Sequence, residues 1–216
     1  MLLRANDKMV MIGDSITDCG RAQPAGEGLF EPYGRGYVNL FNGLLGATYP
    51  ELGVRVINLG TSGHNTRDLK ARWQADVLDR KPDWVTCMIG VNDVWRQFDA
   101  PWQKEWHVMP AEFEANLESV VKQSVDKVKG FVLLSPFFME PNRKDAMRVQ
   151  VDRYSGIVKK IARKYKTHFV DTQAAFDKTL KTYHSATLGW DRVHPTTIGH
   201  MVIARALLSE LGYEWK

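Results

Sequence analysis

A serine closes one apolar run of this 216-residue chain, an asparagine lies just past another, and near the far end a histidine follows an aspartate by three residues. The first run ends as Ile12-Gly13-Asp14-Ser15-Ile16-Thr17-Asp18. There Gly13 permits a tight bend, so the Ser15 hydroxyl can project from a strand-to-loop corner. The last block reads Asp191-Arg192-Val193-His194-Pro195-Thr196. At that spacing the Asp191 carboxylate can accept from the His194 Nδ1–H and leave Nε2 free as a base, and Pro195 suits the first turn of a final helix. Asn92, in Gly90-Val91-Asn92-Asp93, offers an amide donor. The glycines of Asn58-Leu59-Gly60-Thr61-Ser62-Gly63-His64-Asn65-Thr66 can expose backbone N–H groups toward the same place. Each block alone has an ordinary explanation: Asp14 or Ser15 as a helix cap, the glycines as a plain turn, Asp93 as a turn cap. Together they supply nucleophilic acyl transfer, with Ser15 as nucleophile, His194 as base, Asp191 to orient it, and donors for an oxyanion.

These residues need elements to converge. Short apolar runs rich in β-branched residues predict strands at 9–12, 54–59, 84–89, 131–135 and 167–170, each nearly all apolar, as parallel strands buried on both faces should be. Helical periods fill the intervals at 36–46, 67–80, 110–129, 143–166 and 196–211. The third is the clearest: Pro110 opens it, and Phe113, Leu117, Val120/Val121, Ser124/Val125 and Val128 line one face before Gly130. Strands alternating with helices predict an α/β fold, a five-stranded parallel sheet with helices on both faces, in a single domain over 1–216. Loops leaving the carboxyl ends of such strands surround the ligand crevice, which singles out the irregular segments 19–36, 95–109 and 183–190.

Composition narrows the class. With 44% apolar and 25% charged residues the chain is an ordinary globular one, neither disordered nor fibrous. Its longest apolar runs, such as 131–134, fall far short of the roughly 20 residues of a membrane-spanning helix, so no membrane partner is expected. The 29 basic and 25 acidic residues leave +4 without Lys/Arg blocks, which predicts no nucleic-acid partner. Cys19 and Cys87 are too few for a disulfide scaffold. The first strand begins by Met9, leaving no room ahead of it for a removable signal peptide, so a cytoplasmic protein is expected.

The Gly-x-Ser-x-Gly elbow of the α/β-hydrolases is absent, and the aspartate and histidine are almost adjacent. Gly13-Asp14-Ser15, the glycine of Ser62-Gly63-His64-Asn65, Gly90-Val91-Asn92-Asp93 and Asp191-Arg192-Val193-His194 instead resemble the four blocks of the SGNH (GDSL-type) hydrolases, and they span nearly the whole chain. The resemblance implies a flavodoxin-like, three-layer α/β/α sandwich and serine esterase chemistry with no metal and no organic cofactor. It also implies that the backbone N–H groups of Ser15 and Gly63 and the Asn92 side chain hold the oxyanion. Gly60 competes with Gly63 for that place, and counting five residues on from Asn58 favours Gly63. Asp18-Cys19-Gly20-Arg21, Gly34-Arg35-Gly36-Tyr37 and Asn92-Asp93-Val94-Trp95-Arg96 look like the bacterial acetylesterases that include acetylxylan esterases.

Aromatic residues crowd the same loops: Trp95, Phe98, Trp102, Trp106, Trp190, Phe30, Tyr33 and Tyr37. Flat faces among polar side chains suit sugar rings rather than lipid, and with the resemblance to acetylxylan esterases, which implies the xylan-derived part, an acetylated xylo-oligosaccharide is the expected substrate, with Trp190, Trp95, Asp14 and Tyr37 expected to touch it. Trp102 and Trp106 equally suit the core or a subunit interface, and exposed aromatic loops predict a homo-oligomer. Two other readings use the same residues. One is a lysophospholipase or thioesterase. The other is a non-catalytic phosphate- or nucleotide-binding protein, against which the carboxylates of Asp14 and Asp18 stand.

Overall fold

The computed structural model describes residues 1–215. Its strands are β1 (Lys8–Gly13), β2 (Arg55–Gly60), β3 (Trp84–Met88), β4 (Gly130–Leu134) and β5 (His168–Val170). All pair in parallel, in the order β2-β1-β3-β4-β5. Every residue of β3 and β4 is buried, because helices cover both faces of the sheet. The helices are α1 (Ser15–Asp18), α2 (Tyr37–Thr48), α3 (Thr66–Trp73), α4 (Val91–Asp99), α5 (Pro110–Lys122), α6 (Ala146–Tyr165), α7 (Thr172–Thr179), α8 (Ser185–Leu188) and α9 (Thr197–Glu210). One layer joins α2, α9 and α7, and the other joins α3, α5 and α6, giving an α/β/α sandwich. Among the described residues, no helix is long and apolar enough to cross a membrane.

Strand order decides where chemistry can sit. The chain leaves β1 toward β2 on one side and later returns to lay β3 on the other, so the crossovers diverge at the carboxyl ends of β1 and β3 and leave a crevice there. Ser15 follows β1 after one intervening residue, Asp14, and Asn92 lies in the first turn of α4, just after β3.

Three expected boundaries move, each for a local reason. The helix expected over 110–129 stops at Lys122. The Ser124 hydroxyl takes the Val120 carbonyl at 2.7 Å and accepts from the Trp73 indole at 2.9 Å, and the Ser124 N–H turns to Val121 instead. The helix expected over 67–80 is regular only to Trp73 and then widens, the Asp79 N–H reaching back five residues to Gln74 at 2.9 Å. The segment expected to be irregular over 95–109 begins inside α4, whose buried Val91 and Val94 share a face. Besides α4, the helices α1, α7 and α8 fall outside the expected helical intervals, α8 within the segment expected to be irregular over 183–190; Asp171 caps α7 by accepting from Ala174 N–H.

Candidate active site

Ser15 opens α1, where its hydroxyl emerges half-buried at the crevice. Its Oγ lies 2.9 Å from His194 Nε2, across 179 residues of chain. On the other side of the ring, His194 Nδ1 lies 2.6 Å from Asp191 Oδ2. Nδ1 therefore donates to the carboxylate, and Nε2 faces the serine hydroxyl as an acceptor. The other Asp191 oxygen accepts from the backbone N–H groups of Val193 (2.9 Å) and His194 (2.8 Å), which fixes the carboxylate beneath the imidazole. Partial burial pushes the pKa of Asp191 up, but the bonds from the His194 ring and from the two amides outweigh it and hold the carboxyl below its ordinary value. Trp95, on α4, meets the His194 ring edge-on at 5.6 Å, and Trp190 stands 87% exposed beside Asp191.

The loop after β2 brings in the donors. Gly60 and Gly63 differ sharply. A Cβ on Gly60 would lie 2.0 Å from Asp18 N, and the Gly60 N–H already donates to Asn58 Oδ1 at 2.9 Å, so Gly60 is sealed against α1. Gly63 sits exposed at φ +81°, a left-handed position that favours glycine, and among the described residues its N–H meets no acceptor. Asp18 holds that loop in place, with Oδ2 accepting from Ser62 N–H (3.1 Å) and Ser62 Oγ–H (2.7 Å). Asn92 is 2% exposed and donates one Nδ2 hydrogen to the His64 carbonyl at 2.9 Å, which leaves the second for the crevice.

Several supports escaped the sequence reading. Asn58 is fully buried and donates to the carbonyls of Thr17 (2.7 Å) and Tyr33 (2.9 Å), tying the end of α1 to the following loop. Arg72, on α3, donates to the carbonyls of Gly13 (2.8 Å) and Leu59 (2.7 Å) and so clamps the ends of β1 and β2 together. Asp93 accepts from the Thr66 N–H and hydroxyl, locking α4 to α3, and burial pushes its carboxyl up to about 7 against those two bonds. These contacts join residues far apart in sequence, so no local spacing signals them.

Two expected substrate contacts are corrected. Asp14 is 1% exposed and caps α1, its Oδ1 accepting from Ile16 N–H at 3.0 Å; burial pushes its carboxyl up to about 7 despite that bond. Tyr37 is fully buried with its hydroxyl 3.0 Å from Thr17 Oγ1, and no part of it reaches the crevice. Among the other aromatics, Trp102 and Phe30 are exposed on the surface, Phe98 is partly exposed, Tyr33 packs against the core, and Trp106 lines a cleft that opens at Gly63.

A hydroxyl joined through an imidazole to a carboxylate can give up its proton as the oxygen attacks an acyl carbon. On a sheet of this order, such a relay beside free N–H donors defines a serine-type carboxylic ester hydrolase. Residues 11–202 match the model of the GDSL-like lipase/acylhydrolase family, and the chain belongs to that family. It is 55% identical over 215 residues to an acetylxylan esterase of Geobacillus stearothermophilus, covering 100% of this chain and 98% of that protein. The crystal structure of that organism's esterase Axe2 superposes with a TM-score of 0.98, at 55% identity over 100% of this chain and 98% of the other. Axe2 variants S15A, D191A and H194A, each described as a catalytic mutant, match equally well. LAE5, an alpha/beta hydrolase from the metagenome of Lake Arreo, Spain, matches at a TM-score of 0.98 and 49% identity, covering 100% of both chains.

Proposed function

We propose that the chain is an acetylesterase that removes acetyl groups from acetylated xylo-oligosaccharides through an acetyl-serine intermediate. The observation that carries this reading is the unbroken line of hydrogen bonds from Ser15 through His194 to Asp191 at the mouth of the crevice. Supporting it, Axe2 is described as an acetyl-xylooligosaccharide esterase, and its catalytic mutants fall on residues of the same type and number as these three.

In the first half-reaction the Ser15 hydroxyl proton passes to His194 Nε2 as Oγ attacks the acetyl carbonyl carbon. The negative charge on the carbonyl oxygen is met by the N–H groups of Ser15 and Gly63 and by Asn92 Nδ2, each such donor lowering the barrier by roughly 3 kcal/mol. Asp191 accepts the Nδ1–H of the imidazolium and stabilises its charge. The ester C–O bond then breaks, His194 returns the proton to the departing sugar oxygen, and acetyl-Ser15 remains. Water, giving one proton to His194, attacks that ester; Ser15 Oγ leaves and takes that proton from His194, and acetic acid departs and ionises to acetate in water. Trp95, against the imidazole, and the exposed Trp190, next to Asp191 in the chain, form the substrate wall in this reading.

The test is chain-length preference at the acyl group. The specificity constant kcat/KM on peracetylated xylose is expected to exceed that on p-nitrophenyl octanoate by about 10² or more, because a longer acyl chain would overpack an acetyl-sized pocket. Preference for the octanoate would move the protein to the lipolytic branch. The reading extends to self-association, supported by Phe30 (98% exposed) and Trp102 (76% exposed) as bare aromatic surface. Light scattering should then give a mass above the 24.6 kDa of one chain, and a monomer mass would refute it. It extends also to a cytoplasmic site of action, supported by the free thiols of Cys19 and Cys87, which fit a reducing compartment. Cell fractionation that found the activity outside the cytoplasm would overturn this.

A further inference from the structure

A cleft of about 560 Å³ opens at Gly63, beside the proposed oxyanion donors, within the roughly 300–1,000 Å³ range of small-molecule sites. One wall is the start of α3, with Asn65, Arg67 and Asp68; the other is Arg96 of α4 and the turn bearing Glu105 and Trp106. Trp106 is 47% exposed and belongs to the turn Lys104–Trp106. That turn is tied down by Arg67, which donates to the Glu105 carbonyl (2.6 Å) and the His107 carbonyl (2.9 Å) while pairing with Glu112. The backbone that carries the ring is therefore held in position, on a cleft otherwise lined by polar side chains and Gly63.

We infer that this cleft is an extended glycone subsite, taking the unacetylated xylose units that adjoin the acetylated one, with Trp106 as the stacking face. The inference rests on the acetyl-sugar reading above and deepens it. Charge selects the ligand class. Two arginines (Arg67, Arg96) and two acidic residues (Asp68, Glu105) line it. Both arginines are already paired, Arg67 with Glu112 and Arg96 with Asp99, and Asp68 already accepts the Asn65 N–H at 3.0 Å. With both guanidiniums occupied by Glu112 and Asp99, a phosphate finds no free cation here. A neutral polyhydroxyl chain finds donors, acceptors and one flat ring.

Two measurements test the subsite separately from the esterase reading. The first is the ratio of kcat/KM on acetylated xylotriose to that on acetylated xylose. It should be at least about tenfold in the wild type, fall to near one in Trp106→Ala, and recover largely in Trp106→Phe, which restores a ring. The second needs no turnover: unacetylated xylotriose titrated calorimetrically into Ser15→Ala protein should bind about tenfold more tightly than into the Ser15→Ala/Trp106→Ala double variant. Equal ratios or equal affinities would overturn the subsite even if acetylated xylose is hydrolysed well. Failure to hydrolyse any acetylated sugar, with p-nitrophenyl acetate still cleaved, would instead overturn the function on which the subsite rests.

Discussion

Asn92 shows how much one buried side chain is asked to do. Its amide is fixed by a bond to the His64 carbonyl, so the hydrogen left over is aimed before substrate arrives. Asn92→Ala should lower kcat about 10²- to 10³-fold with little change in KM, because the donor meets charge only in the transition state; steady-state kinetics showing a KM effect alone would make Asn92 a mere binding group. Asp191→Asn should keep the fold yet cost about 10⁴-fold in kcat, since the amide disfavours the Nδ1–H tautomer. A loss under tenfold would remove Asp191 from the proton relay. At this scale the sequence was legible where the chemistry is local: Gly13-Asp14-Ser15 lies within three residues, and Asp191 and His194 share one turn. It misled for Asp14 and Tyr37, because adjacency to a reactive residue says nothing about which way a neighbouring side chain turns, and both turn into the core.

Elements carry the precision. The site depends on the junction of β2 with α1, where Gly60 meets the Asp18 backbone and Asp18 in turn holds the Ser62–Gly63 turn. Gly60→Ala must force a Cβ against backbone that lies 2.0 Å away, whereas a Cβ on Gly63 meets nothing within 4 Å and bears only the left-handed backbone. Urea unfolding should find Gly63→Ala destabilised by about 1 kcal/mol and Gly60→Ala by clearly more; equal losses would contradict the packing described at this junction. All five strands and five of the helices (α2, α3, α5, α6 and α9) were legible because apolar runs and helical periods extend over many residues. The exact ends were not: α5 yields to a serine that bonds Trp73 from another helix, a contact no window along the chain contains. The first turn of α4 was hidden for the same reason, its polar Asn92 and Asp93 being buried by tertiary partners rather than by a hydrophobic period.

At the scale of the whole molecule, buried ionisable groups couple the site's scaffold to pH. Asp93, pushed up to about 7 by burial, binds its proton more readily folded than unfolded, so its stabilising contribution is full below about 4 and is lost as pH rises toward 7. Asp14 acts in the same sense. His200 acts in the opposite one: burial pushes it down to about 4, so its contribution is present above its ordinary value near 6.5 and is lost as pH falls toward 4. Asp93→Asn removes one of these groups, and its stability relative to wild type should therefore rise between pH 4 and pH 7; a pH-independent difference in thermal unfolding would contradict the burial of that carboxyl as a charge. The central claim, that Ser15 carries the acetyl group, is tested most directly by the rate of acetate release from acetylated xylo-oligosaccharide by the folded Ser15→Ala protein. The expected result is a fall of about 10⁴-fold or more with the fold intact by circular dichroism; release within tenfold of the wild-type rate would contradict it.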